Sequence, residues 1–488
     1  MTLPAWPVAF LAGAAAVLGF SPFDQFLAAL AAFAVLTQLL IAARTPRAAF
    51  GVGYLFGLGL FAVGVSWIYV SLHRFGAMPA PLAAIATFAF CALLALFPAT
   101  AAWLQARLTA RAAPALRAAL AVPAAWVLLE WLRGWILTGF PWLSAGYAAI
   151  DDALGGFAPL GGVYAVSLAL AGAAGLLWCL VTGHARWPAA AALALLLAAG
   201  AGLRSAQWTT PAGEPLTVSL LQGNVPQEMK FDPARYARTL EAYATLAEAS
   251  QARLIVLPET AIPRFLDRVD PAYLERLRAA ARRNEGDLLL GVPLREGESY
   301  YNGVVSLGVS PPQSYHKQHL VPFGEFVPPG WGWVVRVLSI PLSDFSRGAQ
   351  SQRPLAVAGQ RVALNICYED AYGRQIARQL PEASLLVNVS NVAWFGDSLA
   401  PAQHLQIARM RALETGRWHL TAANTGITAA IAPDGSVRAR MPQYLQGRVE
   451  AQVRGHAGAT PYVRLGDWPA LLAALAALAL VALRSRSQ

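Results

Sequence analysis

Apolar residues run in long blocks through the first two hundred positions, thin out from about residue 214, and return in one block near the C-terminus. A bilayer crossing needs roughly 20 predominantly apolar residues. On that rule the pattern predicts membrane helices over residues 5–20, 26–42, 50–70, 81–104, 116–132, 158–181, 188–203 and 468–483. Several blocks are short or merge with a neighbour, so the expectation is about eight spans. The glycines of Gly51-Val52-Gly53-Tyr54-Leu55-Phe56-Gly57-Leu58-Gly59 suit close helix packing, because without a Cβ two backbones can approach. A buried helix of a soluble core explains one such block, but not a succession of them. No basic segment precedes the first block, which argues against a cleavable leader.

From Pro215 the pattern shortens. Residues 216–221, 254–257, 288–292, 361–366, 385–389 and 418–423 read as buried strands. Residues 301–309 and 313–319 read as a β pair split by Pro311-Pro312, and 427–432 with 436–440 as a hairpin about Pro433-Asp434-Gly435. Helical spacing covers 233–253, 271–284 and 402–415. Strands alternating with helices predict a layered α/β domain. The organisation expected is a membrane domain of seven spans over 1–210, an α/β domain over 211–460, and a closing span with a short tail over 461–488.

Composition sharpens this picture. Hydrophobic residues make up 56% of the 488 positions and charged ones only 13%, where soluble chains carry about 25% charged residues. Basic residues also fix an orientation. With the N-terminus in the cytoplasm, the inward loops carry Arg44, Arg47, Arg107, Arg111, Arg117 and Arg186, and the C-terminus Arg484 and Arg486. The outward loops carry only Arg74, Arg133 and Arg204. An odd number of spans then puts the α/β domain on the outer face, the periplasm in a Gram-negative cell. The net charge of +10 is largely topological, and no nucleic-acid motif accompanies it. Glu130 and Arg133, near the outer end of a span, are expected to pair at i, i+3.

Three cysteines cannot build a disulfide framework. Cys91 and Cys179 fall inside apolar blocks and read as packing residues. Cys367 ends the run Arg361-Val362-Ala363-Leu364-Asn365-Ile366 and is followed by Tyr368-Glu369-Asp370. A strand that stops at a nucleophile and turns exposes a reactive atom at a sheet edge. Glu259 follows 254–257 and Lys317 follows 313–315 in the same way. Adjacent strand ends of one sheet are expected to gather these groups in one pocket. A free thiol has a pKa of about 8.5 and needs a base. Glu259 suits that task, the more so if a dry pocket raises its own pKa. Lys317 and the Tyr368 N–H would hold the oxyanion of a tetrahedral intermediate. The reaction class is acyl transfer through a thioester. Glu325 and Glu369 are candidates for orienting Lys317 or holding the pocket together. His316 and His319 flank Lys317, but no further ligands complete a metal site, so neither metal nor cofactor is expected.

Glu259, Lys317 and Cys367, in that order at strand ends, resemble the Glu-Lys-Cys site of the nitrilase superfamily. Longer strings narrow the resemblance: Gly64-Val65-Ser66-Trp67-Ile68-Tyr69-Val70-Ser71, Gly139-Phe140-Pro141-Trp142, Gln222-Gly223-Asn224-Val225-Pro226-Gln227, Leu257-Pro258-Glu259-Thr260, Tyr315-His316-Lys317, Leu320-Val321-Pro322-Phe323-Gly324-Glu325-Phe326-Val327-Pro328 and Cys367-Tyr368-Glu369. Together with the membrane layout they resemble the apolipoprotein N-acyltransferase family. The resemblance implies a nitrilase-like αββα sandwich beside the polytopic membrane domain, in the bacterial inner membrane with the sandwich in the periplasm. It implies that Cys367 takes an acyl chain from a phospholipid donor, typically phosphatidylethanolamine, and passes it to the α-amino group of a diacylglyceryl-cysteine on an apolipoprotein. Glu259 would be the base, Lys317 the oxyanion stabiliser and Glu325 a supporting acid. Lipid substrates need lipid-facing covers. The apolar stretch around Trp331 and Trp333, and Trp394-Phe395 after another strand, are the candidates for a lid.

Two other readings fit parts of the chain. A membrane-tethered amidase would use the same three residues but would have no need of so large a membrane scaffold. A transporter with an extracytoplasmic binding module would need charged or broken helices at mid-membrane.

Overall fold

The structure, a computed structural model, describes residues 5–230, 232–327 and 344–487. The chain divides into two compact units, one of residues 5–69, 81–207 and 460–487, the other of Val70–Ala80 with Trp208–Ala459.

The first unit is all helical. Among the described residues six helices are long and apolar enough to cross a membrane: Pro46–Gly64, Ala80–Leu108, Pro114–Arg133, Ala153–Thr182, Arg186–Ser205 and Trp468–Arg486. The two remaining blocks, expected as spans, form the shorter apolar helices Ala5–Gly19 and Phe26–Ala42. The glycine stretch acts as its composition predicts. A Cβ on Gly59 would lie 2.1 Å from the Phe10 carbonyl oxygen and one on Gly53 2.5 Å from that of Pro98, so backbones touch there. Phe33, Phe56 and Trp126 meet edge to face between helices, with centroids 4.8 to 5.8 Å apart. Leu27, Ile85, Phe88, Leu195 and Leu483 project outward, an apolar exterior that lipid rather than water would solvate. Glu130 and Arg133, expected to pair across one helical turn, hold other groups. Glu130 accepts from the Ala145 N–H (2.7 Å) and Trp126 Nε1 (3.1 Å). Arg133 donates to the carbonyls of Phe140 and Trp142. The two charges thus secure the loop and short helical turns of 134–150 through backbone groups that need a partner.

Among the described residues the second unit is a sandwich of two six-stranded sheets. The strands in chain order are β1 (Thr210–Gln222), β2 (Leu254–Val256), β3 (Asp287–Glu296), β4 (Ser299–Gly308), β5 (Ser314–His316), β6 (Leu355–Val357), β7 (Gln360–Ile366), β8 (Leu385–Ser390), β9 (His419–Ala423), β10 (Thr428–Ile431), β11 (Val437–Met441) and β12 (Gly447–Ala457). One sheet has the order β12-β1-β2-β3-β4-β5 and the other β11-β10-β9-β8-β7-β6. In each the central strands are parallel, β1-β2-β3 and β7-β8-β9, and the flanking ones antiparallel. Central strands buried on both faces explain why their sequences read as unbroken apolar runs.

Alternation assigns each face. Leu216, Val218 and Leu220 of β1, Leu254 and Val256 of β2, Val362, Leu364 and Ile366 of β7, and Leu385, Val387 and Val389 of β8 meet between the sheets. The opposite face of the first sheet carries Leu221, Ile255, Leu288, Leu290 and Val292, covered by Tyr243, Ala244 and Ala247 of helix Pro233–Glu248 and Leu277 and Ala280 of helix Pro271–Arg282. Helix Ala400–Thr415 covers the second sheet through Leu405, Ala408 and Ala412 against Ala429 and Ile431. The layers are helix, sheet, sheet, helix.

Candidate active site

Three strand ends converge, and they come from both sheets. After β2 the chain runs through Leu257-Pro258 into Glu259, and Thr260 takes a positive φ of 49°. This turn lies on β3. A Cβ on Gly291 would sit 2.2 Å from the Pro258 carbonyl oxygen, so only glycine allows the approach. Lys317 follows β5, its N–H donating to the Asn302 carbonyl of β4 at 2.8 Å. Cys367 follows β7 and has φ 54°, a left-handed turn that costs a non-glycine residue energy and redirects the side chain. Glu259 and Lys317 belong to the first sheet and Cys367 to the second. Neighbouring ends of one sheet were the expectation; the groups instead meet across the sandwich, and Cys367 is itself part of the inner core.

The site is buried and tightly bonded. Lys317 is 1% exposed, Glu259 7% and Cys367 9%. Glu259 Oε1 accepts from Asn302 Nδ2 at 2.6 Å and faces Lys317 Nζ at 3.4 Å, while Oε2 accepts from the Asn391 N–H at 2.8 Å. Lys317 Nζ lies closer to Glu325, at 2.8 Å from Oε1. Asn302 Nδ2 bridges to the same Glu325 oxygen at 2.9 Å, and Glu325 Oε2 accepts from the Val321 N–H at 2.8 Å. The Glu259 carboxylate, Ser390 and the Asn391 N–H all bear on the ionisation of the Cys367 thiol.

Protonation follows from this geometry. Burial pushes the Cys367 thiol up to about 12, the Glu259 carboxylate adds to the rise, and Lys317 offsets part of it. Burial also acts to raise Glu259, but the Lys317 ammonium, the Asn302 amide and the Lys230 ammonium outweigh it and hold the carboxyl below the ordinary range. The expectation that a dry pocket raises Glu259 therefore fails, because the pocket is dry but cationic. Burial works against the Lys317 charge, yet Glu325 and Glu259 more than compensate and hold it above the usual lysine range. The resting site pairs a carboxylate and an ammonium with a neutral thiol.

Glu369 ties the strand ends together. Its Oε1 accepts from the N–H groups of Gln318 (2.6 Å) and His319 (3.0 Å), and its Oε2 from the Ile366 N–H (2.7 Å) and Tyr315 Oη (3.1 Å). The Tyr368 ring packs on Tyr372 and His319, and His316 stacks on Tyr301 with centroids 4.3 Å apart. Beneath the nucleophile, Asn388 Nδ2 (3.1 Å) and His404 Nε2 (3.2 Å) hold the Cys367 carbonyl oxygen.

A model of the apolipoprotein N-acyltransferase N-terminal domain matches residues 12–176, and a model of carbon-nitrogen hydrolases matches 217–462. A protein of Nitrosomonas europaea named apolipoprotein N-acyltransferase is 49% identical, the alignment covering 97% of this chain and 96% of that protein. The chain belongs to the apolipoprotein N-acyltransferase family. Proteins of the same name from Ralstonia nicotianae and Chromobacterium violaceum are 45% and 44% identical, each aligned over 97% of this chain and 93% of its own length.

The candidate site also contains groups that were not among the expected residues. Asn302, joining both carboxylates, is an isolated polar residue in the buried stretch of β4, and that isolation was its signal. Asn391, at the end of β8, is a fourth strand-end residue of the same kind as the three singled out. Lys230 is 3% exposed and donates to the Glu259 carbonyl oxygen at 3.1 Å. Its signal lay in composition: the chain has two lysines, and the other is Lys317. Of the expected lid residues, Trp394 and Phe395 lie in the short helical turn Val392–Phe395 just past Asn391. Trp394 is 38% exposed and meets Phe75 edge to face at 6.0 Å. Trp331 and Trp333 lie outside the described residues.

Proposed function

We propose that this family member carries an acyl chain from a phospholipid to the α-amino group of an apolipoprotein's diacylglyceryl-cysteine, with Cys367 as the acyl carrier. The observation that carries this reading is the buried convergence of thiol, carboxylate and ammonium in a chain of this family.

In the first half-reaction Cys367 Sγ attacks the ester carbonyl carbon of the donor lipid. The thiol proton passes to Glu259, and the carbonyl becomes an oxyanion held by Lys317 and the Tyr368 N–H. Collapse breaks the C–O bond, and Glu259 returns the proton to the departing lysophospholipid oxygen. In the second half-reaction the neutral amine attacks the thioester carbon and Glu259 takes a proton from it. Collapse breaks the C–S bond and the sulfur recovers the proton. With the thiol high and the carboxyl low, ground-state transfer between them is uphill. Proton transfer therefore accompanies S–C bond formation, when negative charge leaves sulfur for an oxygen beside Lys317.

The chain is a membrane protein by its apolar helices and its family. We place it in the inner membrane with the α/β unit in the periplasm, on the asymmetry of its loop arginines. The boundaries that go with this are 1–210, 211–460 and 461–488. Trp394 and Phe395, with the segment around Trp331 and Trp333, are proposed to cover the acyl chain.

Intact-mass spectrometry after incubation with phospholipid tests the reading. One added acyl group, removed by hydroxylamine and absent in Cys367→Ala, is expected, followed by its transfer to a diacylglyceryl-cysteine peptide. Release of free fatty acid without a protein adduct would make the chain a hydrolase instead.

A further inference from the structure

The chain draws its positive charge almost wholly from arginine: Lys and Arg total 37, and only Lys230 and Lys317 are lysines. Both are buried and both bond to Glu259, Lys317 at the carboxylate and Lys230 at the backbone carbonyl. An ammonium is a compact charge that can be desolvated and can discharge, whereas a guanidinium is broad and stays charged. A chain that uses arginine elsewhere thus places its two compact cations in one pocket.

Lys230 is held in place from several sides. It ends the turn begun by Gln227–Met229. Gln227 Oε1 accepts from Asn391 Nδ2 at 2.8 Å, and the Asn391 N–H donates to Glu259 Oε2. Asn391 Oδ1 accepts from Asn424 Nδ2 at 3.1 Å, and Asn424 grips both the N–H (2.9 Å) and the carbonyl (2.8 Å) of Val225. Glu228 pairs with Arg74 at 3.0 Å. The segment that carries Lys230 is therefore tied, through Asn391, to the same residue the lysine bonds.

Charge counting shows what the lysine does. Lys317 alone would stand against two carboxylates, Glu259 and Glu325. A thiolate at Cys367 would then leave a buried excess of two negative charges, a costly state in a site closed to water. A second ammonium balances these two carboxylates and lowers the excess that a thiolate adds to them from two charges to one. Burial depresses Lys230 to about 8, with Glu259 and Cys367 pulling the other way, so the charge is present at neutral pH.

We propose that Lys230 is a positioning residue of the acyl-transfer site: its ammonium, seated on the Glu259 carbonyl oxygen, keeps Glu259 ionised and lowers the cost of charge on Cys367 sulfur in both half-reactions. The inference rests on Cys367 being the acyl carrier.

The test is the pH dependence of Cys367 alkylation by iodoacetamide in the detergent-solubilised full chain, read from the mass of the Cys367 peptide. Each tenfold change in thiolate population is a tenfold change in rate. In the wild type the rate should rise with pH, flatten by about one tenfold step as Lys230 discharges near pH 8, and then resume its rise. Lys230→Gln should react about tenfold more slowly below pH 8, without the flattening. Lys230→Arg should keep the wild-type rate at pH 7 and also lack the flattening. A folded Lys230→Gln with the wild-type rate and profile would overturn the proposal. If the Gln variant does not fold, the wild type and Lys230→Arg decide: identical profiles for the two overturn it, and a break in the wild type alone supports it. No lipid enters this assay, so absence of a wild-type thioester sinks the acyl-carrier reading separately.

Discussion

Replacing Glu325 by glutamine removes one charge and almost no volume, and the structure makes the consequence specific. Three donors face the two oxygens of Glu325: Lys317 Nζ and Asn302 Nδ2 on Oε1, and the Val321 N–H on Oε2. An amide offers one oxygen, so its NH2 must face a donor on one side or the other. Lys317, 1% exposed, keeps only Glu259 as a charged partner. Removing one member of a buried ion pair costs roughly 3–5 kcal/mol. Glu259 still partners the lysine, so the lower end applies, about 3 kcal/mol, or about 6–12 °C in apparent Tm for a unit of this size. Chemistry suffers in a second way. Lys317 Nζ stands 3.4 Å from Glu259 Oε1 because Glu325 draws it away at 2.8 Å. Released, the ammonium moves onto Glu259, weakens it as a base, and slows thioester formation about tenfold or more. The assay is rapid-quench intact mass with phospholipid in mixed micelles, with differential scanning fluorimetry on the same preparation. A Glu325→Gln protein with unchanged Tm and a thioester rate within about twofold of wild type would refute the two-carboxylate account of Lys317.

Three further outcomes follow from the same geometry. With its thiol raised to about 12, resting Cys367 should alkylate about a thousandfold more slowly at neutral pH than an ordinary cysteine, as measured against free cysteine; near-equal rates would mean a standing thiolate. Glu369 is pushed up to about 7 by burial, against the pull of its backbone donors, so the folded chain holds a proton that the unfolded chain has lost by about pH 4.5, and its contribution to stability falls as pH rises from about 5 to 7. Glu369→Gln should lower Tm throughout and remove that part of the slope. His404→Ala frees one of the two side-chain clamps on the Cys367 carbonyl and should cut the thioester rate about tenfold or more while leaving Glu259 and Lys317 in place; an unaffected rate would show that Asn388 alone fixes the turn.

Much of this architecture could be read from residue order, because burial on both faces leaves a plain record. The strands β1, β2, β3, β7, β8 and β9 announce themselves as apolar runs, and Glu259, Lys317 and Cys367 stand where those runs or their neighbours stop. The pairing of sheets left no such record. Nothing local to β5 or β7 says that they belong to different sheets, since register and layer are set by contacts between distant segments. The strand β12 lies outside the expected elements, although Val449, Ala451 and Val453 alternate with Arg448, Glu450, Gln452 and Arg454, the signature of a strand with one face outward. Glu259's lowered pKa was beyond reach for a different reason. Dryness alone predicts a rise, and only the positions of Lys317, Asn302 and Lys230 reverse it. Glu130 and Arg133 show the same limit: their spacing suggests a pair, while their partners are backbone groups of 134–150.

The division of the site between two sheets has a mechanical consequence. If all three groups sat on one sheet, strand pairing would fix their spacing. Here the distance from Cys367 to Glu259 is set by how the inner faces pack, and Cys367 is itself a core residue between Ile366, Val389 and their neighbours. Such packing tolerates little error, since interiors are close-packed and transmit small shifts. A carboxylate at the join supplies the missing constraint. Glu369 binds the Ile366 N–H just before the nucleophile and, through its other oxygen, the N–H groups of Gln318 and His319 just after Lys317. Tyr315, two residues before Lys317, donates to it as well while its ring fills the inner core. One side chain thus fixes the end of β5 to the end of β7 by four hydrogen bonds. Glu325, Asn302 and Asn391 set the charges within the site; Glu369 sets the gap across which they act.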